Sequence, residues 1–327
     1  MLSTEITCAW GLRHPLVSAP MAGVAGGALA GAVSAAGALG MLGVGSTTAL
    51  DWIAAEAAVA RPHGPFGIGL MNWAIARRPE LLDAVLAERP SLLSLSFGDF
   101  AAYVERAHAA GVRVAGMVQD AATARAALAA GVDALVAQGT DAGGHTGAVG
   151  TLPLLQLVLP LGEAAGVPVL AAGGIATGRA IAGALAMGAA GAWVGTRFAA
   201  TAEAMGSPAA KAAMLRAAET DTVHTHVFDI VQRLPWPDEF PGRALQNAFT
   251  ARWHSREPAL QADLDTVSER FEAARRRDDY SEAYVYAGQA VGLIDGIPSA
   301  GELVTQLTAE AESHLRRCAE LIAPAAG

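Results

Sequence analysis

Between positions 137 and 150 the chain reads AQGTDAGGHTGAVG, with a single imidazole, His145, set among Gly143, Gly144 and Gly147. The stretch follows a short apolar run at 134–137, of the kind that forms a buried parallel strand. Gly-rich loops at the carboxyl ends of such strands are where α/β folds carry out their chemistry. Glycines on both sides of His145 remove Cβ atoms, so backbone can approach a flat ligand while the ring projects toward it. Imidazole titrates near neutrality, and the pattern suits a general base held over a cofactor. Taken alone, a GGH tripeptide serves a solvated turn just as well, and it is a second glycine cluster downstream that favours the chemical reading.

That cluster is PVLAAGGIATGRAIAGALAMGAAGAWVGT at 168–196. It reads as a strand, a GG turn, a helix and a second strand ending in Gly-Thr. Gly173, Gly174, Gly195 and Thr196 would present bare amides at the carboxyl ends of two adjacent strands, beside helix N-termini, an arrangement that binds a phosphate group. In a (β/α)8 barrel this is the usual phosphate position, after strands seven and eight.

The rest of the chain has to place these two loops side by side. Short apolar runs at 16–19, 40–44, 66–70, 92–97, 112–118, 134–137, 169–172 and 192–195 alternate with Ala-rich helical patterns near 26–36, 49–60, 79–88, 100–110, 120–130, 151–165 and 177–188. Eight βα repeats predict a TIM barrel. An open doubly wound sheet would want GxGxxG after its first strand, where this chain has APMAGVAGG instead. The expected organisation is a barrel over 1–217, an irregular and helical cover over 218–299, and a C-terminal helix within 300–327 packing back on the barrel. The cover carries Trp236, Trp253 and the run LPWPDEFPGR, too rich in proline and aromatics for another βα unit. Arg275, Arg276 and Arg277 read as a solvated helix face. His224 and His226 would share one side of a strand, but they lack a third partner, so no metal is expected.

Composition bounds the function. The chain has 327 residues, is 53% hydrophobic and 16% charged, and carries a net charge of −9, enough for a large core and the wrong sign for nucleic acid or an anionic membrane. Apolar stretches are interrupted before they are long enough to span a bilayer. Cys8 and Cys318 stand at opposite ends with no CxxC and no secretory segment, which predicts a reduced, cytoplasmic setting.

The segments HPLVSAPMAG, AQGTDAGGHTG, PVLAAGGIATGRAIAGALAMGAAGAWVGTRF, LPWPDEFPGRALQNAF and AGQAVGLID resemble the nitronate monooxygenase family, formerly 2-nitropropane dioxygenases, over nearly the whole chain. That family is similar in fold and flavin site to FMN-dependent enoyl reductases and to a group of NADH:quinone reductases that share the GGH loop. The resemblance implies FMN as cofactor. It implies that Ala19, Pro20 and Met21 line the flavin ring, and that Gln138, Gly143 and Gly144 flank the ring and ribityl chain. Ala172, Gly173, Gly174, Val194, Gly195 and Thr196 would hold the phosphate, and His145 matches the catalytic histidine.

Two positions depart from the pattern. Gly69 stands where many members have asparagine, with Asn72 three residues on, and Met117 stands where many have lysine or glutamine, with Gln119 two residues on and on the same side of the strand. Asn72 and Gln119 are therefore the candidate substitutes, and Trp73, Ser96 and Phe97 the candidate pocket walls. The activity implied is oxidation of a nitronate or nitroalkane by oxygen to a carbonyl compound and nitrite. The alternatives are an FMN-dependent NAD(P)H reductase acting on a quinone or enoyl thioester, and a barrel that binds a flavin or phosphorylated metabolite without catalysis. A homodimer is left open.

Overall fold

The computed structural model describes residues 2–321. Its strands are β1 (Leu16–Ser18), β2 (Gly40–Gly43), β3 (Phe66–Met71), β4 (Leu92–Ser96), β5 (Arg113–Val118), β6 (Ala134–Gln138), β7 (Gly144–His145), β8 (Val169–Ala172), β9 (Gly191–Val194), β10 (Thr222–Thr225) and β11 (Gly242–Leu245). Eight of them form one parallel sheet in the order β1-β9-β8-β6-β5-β4-β3-β2. Its two edges meet through a parallel bridge between Val17 and Leu39, with Ser18 N–H donating to the Leu39 carbonyl at 3.0 Å, so the sheet closes into a (β/α)8 barrel.

Alternation along the strands divides the core in two. Val17, Met41, Leu92, Ala115, Val136, Leu170 and Trp193 point inward and fill the barrel, and Ile6 and Leu12 extend this cluster at one end. Leu42, Ile68, Leu93, Val114, Leu135 and Val169 point outward against the helices. Where β3 reads Phe-Gly-Ile-Gly-Leu-Met, the inward places are Gly67 and Gly69. A Cβ at Gly67 would lie 2.1 Å from the Met41 sulfur, so the small residue is what admits Met41 to the layer.

The helices Gly27–Ala35, Leu50–Ala60, Glu80–Ala87, Ala101–Ala109, Ala121–Ala129, Thr151–Ala165 and Gly178–Ala186 alternate with the strands as the sequence pattern predicts. Glu5–Trp10 and Asn72–Arg77, each only 6 residues long and too short to show a period, were not foreseen, and neither were Thr196–Ala199 and Pro208–Arg216 after the last barrel strand. The segment after the barrel is more regular than its composition suggests. β10, β11 and β7 form an antiparallel sheet, and Phe228, Phe249 and Phe271 build a separate core beneath it. The helix Ala300–Ala319 packs Leu303, Val304, Leu307 and Ala311 against Leu29, Val33 and Ile181. No helix among the described residues is long and apolar enough to cross a membrane.

Candidate active site

The mouth of the barrel is roofed first by the turn Ala19-Pro20-Met21. Ala19 N–H donates to the Val194 carbonyl at 2.8 Å, which draws the turn across the strand ends. It lies close over β2 and β3 because both are glycine there. A Cβ at Gly43 would stand 2.2 Å from the Met21 carbonyl carbon, and one at Gly69 would stand 2.4 Å from the Pro20 ring. Gly69 is thus small for a physical reason, since any side chain there would collide with Pro20. At the ends of β5 and β6, Gln119 Nε2 donates to Gln138 Oε1 at 3.0 Å, both side chains being buried. Gly147 packs on Gln119, where a Cβ would lie 2.7 Å from the Gln119 Cβ.

Beside this platform lies a cradle of backbone amides after β8 and β9. Gly173 and Gly174 have φ of +103° and +66°, a region that only glycine enters freely, and a Cβ at Gly173 would stand 2.6 Å from Thr151 Oγ1. The N–H groups of Gly173, Gly174, Gly195 and Thr196 donate to no acceptor among the described residues. Ala172 and Val194 end the strands that bear these loops. Gly288 N–H donates to Thr196 Oγ1 at 2.9 Å, and Gln289 N–H to the Asp141 carbonyl at 2.9 Å. Segment 287–289 therefore closes the cradle, and Gly143 is small because a Cβ there would lie 2.6 Å from the Gly288 nitrogen. The sequence reading missed this segment, although it belongs to the quoted AGQAVGLID stretch.

Asp141 would oppose a phosphate here, but its charge is occupied. Its Oδ2 accepts the Thr151 N–H at 2.8 Å at the start of a helix, and the buried Arg243 guanidinium faces it. Arg243 Nε also donates to the Thr140 carbonyl at 2.8 Å, tying the cover to the loop after β6.

His145 is not a solvated loop residue. Its loop forms β7 and pairs with β11, His145 opposite Gly242 and Gly144 opposite Arg243. His145 Nε2 meets Asp229 Oδ1 at 2.8 Å, with side chains only 8% and 5% exposed. An ionised carboxylate only accepts, so in the neutral imidazole Nε2 carries the proton and Nδ1 the lone pair. The Trp236 ring stacks on the imidazole at 3.4 Å and 6°. Gly242 leaves room for the pair, since a Cβ there would lie 3.3 Å from His145 Nε2 and 2.9 Å from the Tyr286 ring. Asp229, on the helix Val227–Gln232, stands 84 positions from His145 and gave no local signal in the sequence.

The expected walls converge on Trp236. Trp73 and Phe97 each meet its ring edge-on at 5.1 Å, and Phe240 meets Phe97 at 5.0 Å. Phe97 itself holds φ of +60°, a strained conformation for an aromatic residue and one that aims its ring at the cover. Asn72 Nδ2 donates to the Asp99 carbonyl at 2.9 Å, which fixes the loop presenting Phe97, while its Oδ1 is buried with no partner among the described residues. Ser96 Oγ donates to the Leu70 carbonyl at 3.4 Å, between neighbouring strands. His224 bonds Thr146 Oγ1 at 3.0 Å and the Pro241 carbonyl at 2.7 Å. Burial, and after it the Arg243 charge, holds His224 below the usual histidine value. Among the described residues no group of three or more His, Cys, Asp or Glu side chains is placed to hold a metal ion.

Comparison with known proteins agrees with this architecture. A family model described as nitronate monooxygenase matches residues 72–310. The (3aS,4S,5R,7aS)-5-hydroxy-7a-methyl-1-oxo-octahydro-1H-indene-4-carboxyl-CoA dehydrogenase of Mycobacterium tuberculosis is 32% identical, over 98% of this chain and 99% of that one. A nitronate monooxygenase of Paraburkholderia phytofirmans is 32% identical over 94% of each. Among solved structures, FabK from Thermotoga maritima superposes with a TM-score of 0.84 at 28% identity, covering 98% of this chain and 100% of that one.

Proposed function

The chain belongs to the nitronate monooxygenase family of oxidoreductases, and from that premise we propose that it binds FMN at the barrel mouth and oxidises nitronates, or the nitroalkanes they come from, with molecular oxygen to carbonyl compounds and nitrite. The observation that carries the reading is the His145–Asp229 pair, at 2.8 Å on a two-residue strand beside four unengaged amides.

The residues fit the cofactor. Gly173, Gly174, Gly195 and Thr196 offer their N–H groups to a terminal phosphate, and only glycine fits at 173, where a Cβ would collide with Thr151 and the Gly139 carbonyl. Ala172 and Val194 bring the two loops together. The Ala19-Pro20-Met21 turn and the Gln119–Gln138 pair would supply backbone surface and two amides for the ring, and Gly143 and Gly144 would keep the loop after β6 free of side chains beside it. Bound there, FMN supplies the electron chemistry, accepting electrons from the nitronate and passing them to oxygen.

The chain's own work is proton transfer and exclusion of water. Nδ1 of His145 takes the α-proton of a neutral nitroalkane, and Asp229 holds the ring in the required tautomer and stabilises the imidazolium. Trp73, Phe97, Trp236 and Phe240 wall the site with apolar surface, which suits a small nitro compound and shields its carbanion character from water. The likeness to FabK and to a CoA-thioester dehydrogenase favours the FMN-dependent reductase as the second reading.

In air, the FMN-loaded protein should release nitrite and consume oxygen in proportion to an added alkyl nitronate with no nicotinamide present. Nitronate turnover that yields no nitrite would refute the proposal.

A further inference from the structure

The amide cradle after β8 and β9 is closed on two sides by chain that lies outside the barrel. Segment 287–289 crosses it as a strap. Gly288 N–H donates to Thr196 Oγ1, after β9, at 2.9 Å, and Gln289 N–H donates to the Asp141 carbonyl, after β6, at 2.9 Å. In the sheet β8 stands between β9 and β6, so a segment bonded to the loops of both neighbours passes over the β8 loop, where the Gly173 and Gly174 amides stay unengaged among the described residues. The crossing is tight. A Cβ at Gly288 would stand 2.5 Å from the Asp141 carbonyl oxygen and 2.8 Å from the Gly143 nitrogen.

The strap is fixed from both ends. Leu245 N–H donates to the Val285 carbonyl at 2.9 Å and Ala287 N–H to the Arg243 carbonyl at 3.3 Å, which ties its approach to β11. Val285, Ala287 and Val291 are buried in one cluster with Ala199 and Ala200, in the stretch that follows Thr196.

The second closure comes from the helix Ala300–Ala319. Glu310 Oε2 accepts the N–H of Gly178, the first residue of the helix Gly178–Ala186, at 3.1 Å. The packing there is also glycine-tight, since a Cβ at Gly178 would lie 2.3 Å from the Glu310 Cβ. This helix N-terminus is the next place beyond the cradle that could receive an anion, and a carboxylate already holds it.

We infer that the 287–289 strap and Glu310 are the specificity determinants of the cofactor site, admitting a flavin that ends in one phosphate and excluding a dinucleotide such as FAD. This rests on the FMN reading above. A terminal phosphate needs only the four amides. A pyrophosphate has to continue past its first phosphorus, either through the strap, which has no slack against Asp141, or outward to a helix terminus where Glu310 repels the second phosphate.

The test starts from the full-length protein loaded with FMN and equilibrated with excess FAD. Displaced FMN is read by its fluorescence, which is strong beside that of FAD, and the flavin left on the desalted protein is identified by chromatography. The wild type should prefer FMN by about a hundredfold or more, the scale set by steric exclusion and like-charge repulsion. Thr196→Val removes the acceptor for Gly288 N–H and leaves the Thr196 amide in the cradle. It should cut the preference by up to about tenfold, the worth of one hydrogen bond, and speed FMN release. Gly288→Ala, whose Cβ forces the strap off the Asp141 carbonyl, should cut it further. FAD that displaces FMN on even terms in the wild type, or a preference unchanged in both variants, overturns the inference and leaves the FMN reading standing. A protein that takes up neither flavin overturns both.

Discussion

Replacing His145 by alanine is expected to leave FMN bound and to slow turnover of a neutral nitroalkane by about two to four orders of magnitude, the usual contribution of a positioned base. Geometry sets the expectation. The imidazole is buried against Trp236 and oriented by Asp229, so its Nδ1 is a preorganised acceptor that a water molecule replaces poorly. Dependence on the substrate is the sharper readout. A preformed nitronate has already lost its proton, so its turnover should fall far less than that of the parent nitroalkane. Equal losses with both would assign the imidazole to holding the anion rather than to taking the proton. Steady-state rates with the two substrates, alongside the flavin absorbance of the purified variant, decide between these outcomes.

A carboxylate in the amide cradle should be still more damaging. Gly195→Asp is expected to weaken FMN retention by about a hundredfold or more, since juxtaposed like charges cost several kcal/mol. Gly195 is the right place for the change. It has an ordinary negative φ, and an added Cβ would meet Ala19 and Met21 at 3.5 and 3.6 Å, both normal contacts. The variant should therefore fold, and Gly195→Ala, which adds the same Cβ without the charge, should keep its cofactor. Gly173 gives no such separation, because any side chain there is strained at φ of +103° and collides with Thr151. Fluorescence titration of the apoproteins with FMN measures the effect. Wild-type affinity in Gly195→Asp would put the phosphate elsewhere.

How legible this site was depends on the range of the interactions. The barrel strands announce themselves as short apolar runs bounded by glycine, because a parallel strand buried on both faces must be apolar throughout. The two glycine loops were legible for a related reason: positive φ at Gly173 and Gly174 leaves a compositional trace. Phe97, at φ of +60°, leaves none, since nothing in its identity marks the strain. Asp229 was invisible because its contact with His145 is made by the pairing of β7 with β11, and neither a two-residue strand nor a four-residue one has a readable period. The Gly288 contact with Thr196 closes across 92 positions and was hidden likewise. Gly43 and Gly69 could have been found, since glycine inside an otherwise apolar strand marks a close approach of another backbone. Here that backbone is the Ala19-Pro20-Met21 turn.

On the proposed function, electrons enter this site from a nitronate and not from a nicotinamide. Anaerobic rapid mixing of the FMN-loaded protein with an alkyl nitronate, and separately with NADH and NADPH, tests it directly through the flavin absorbance. The nitronate should bleach the flavin at least as fast as turnover in air, while both nicotinamides leave it oxidised over the same interval. Rapid bleaching by NADH or NADPH with none by the nitronate would contradict it and make the chain a reductase.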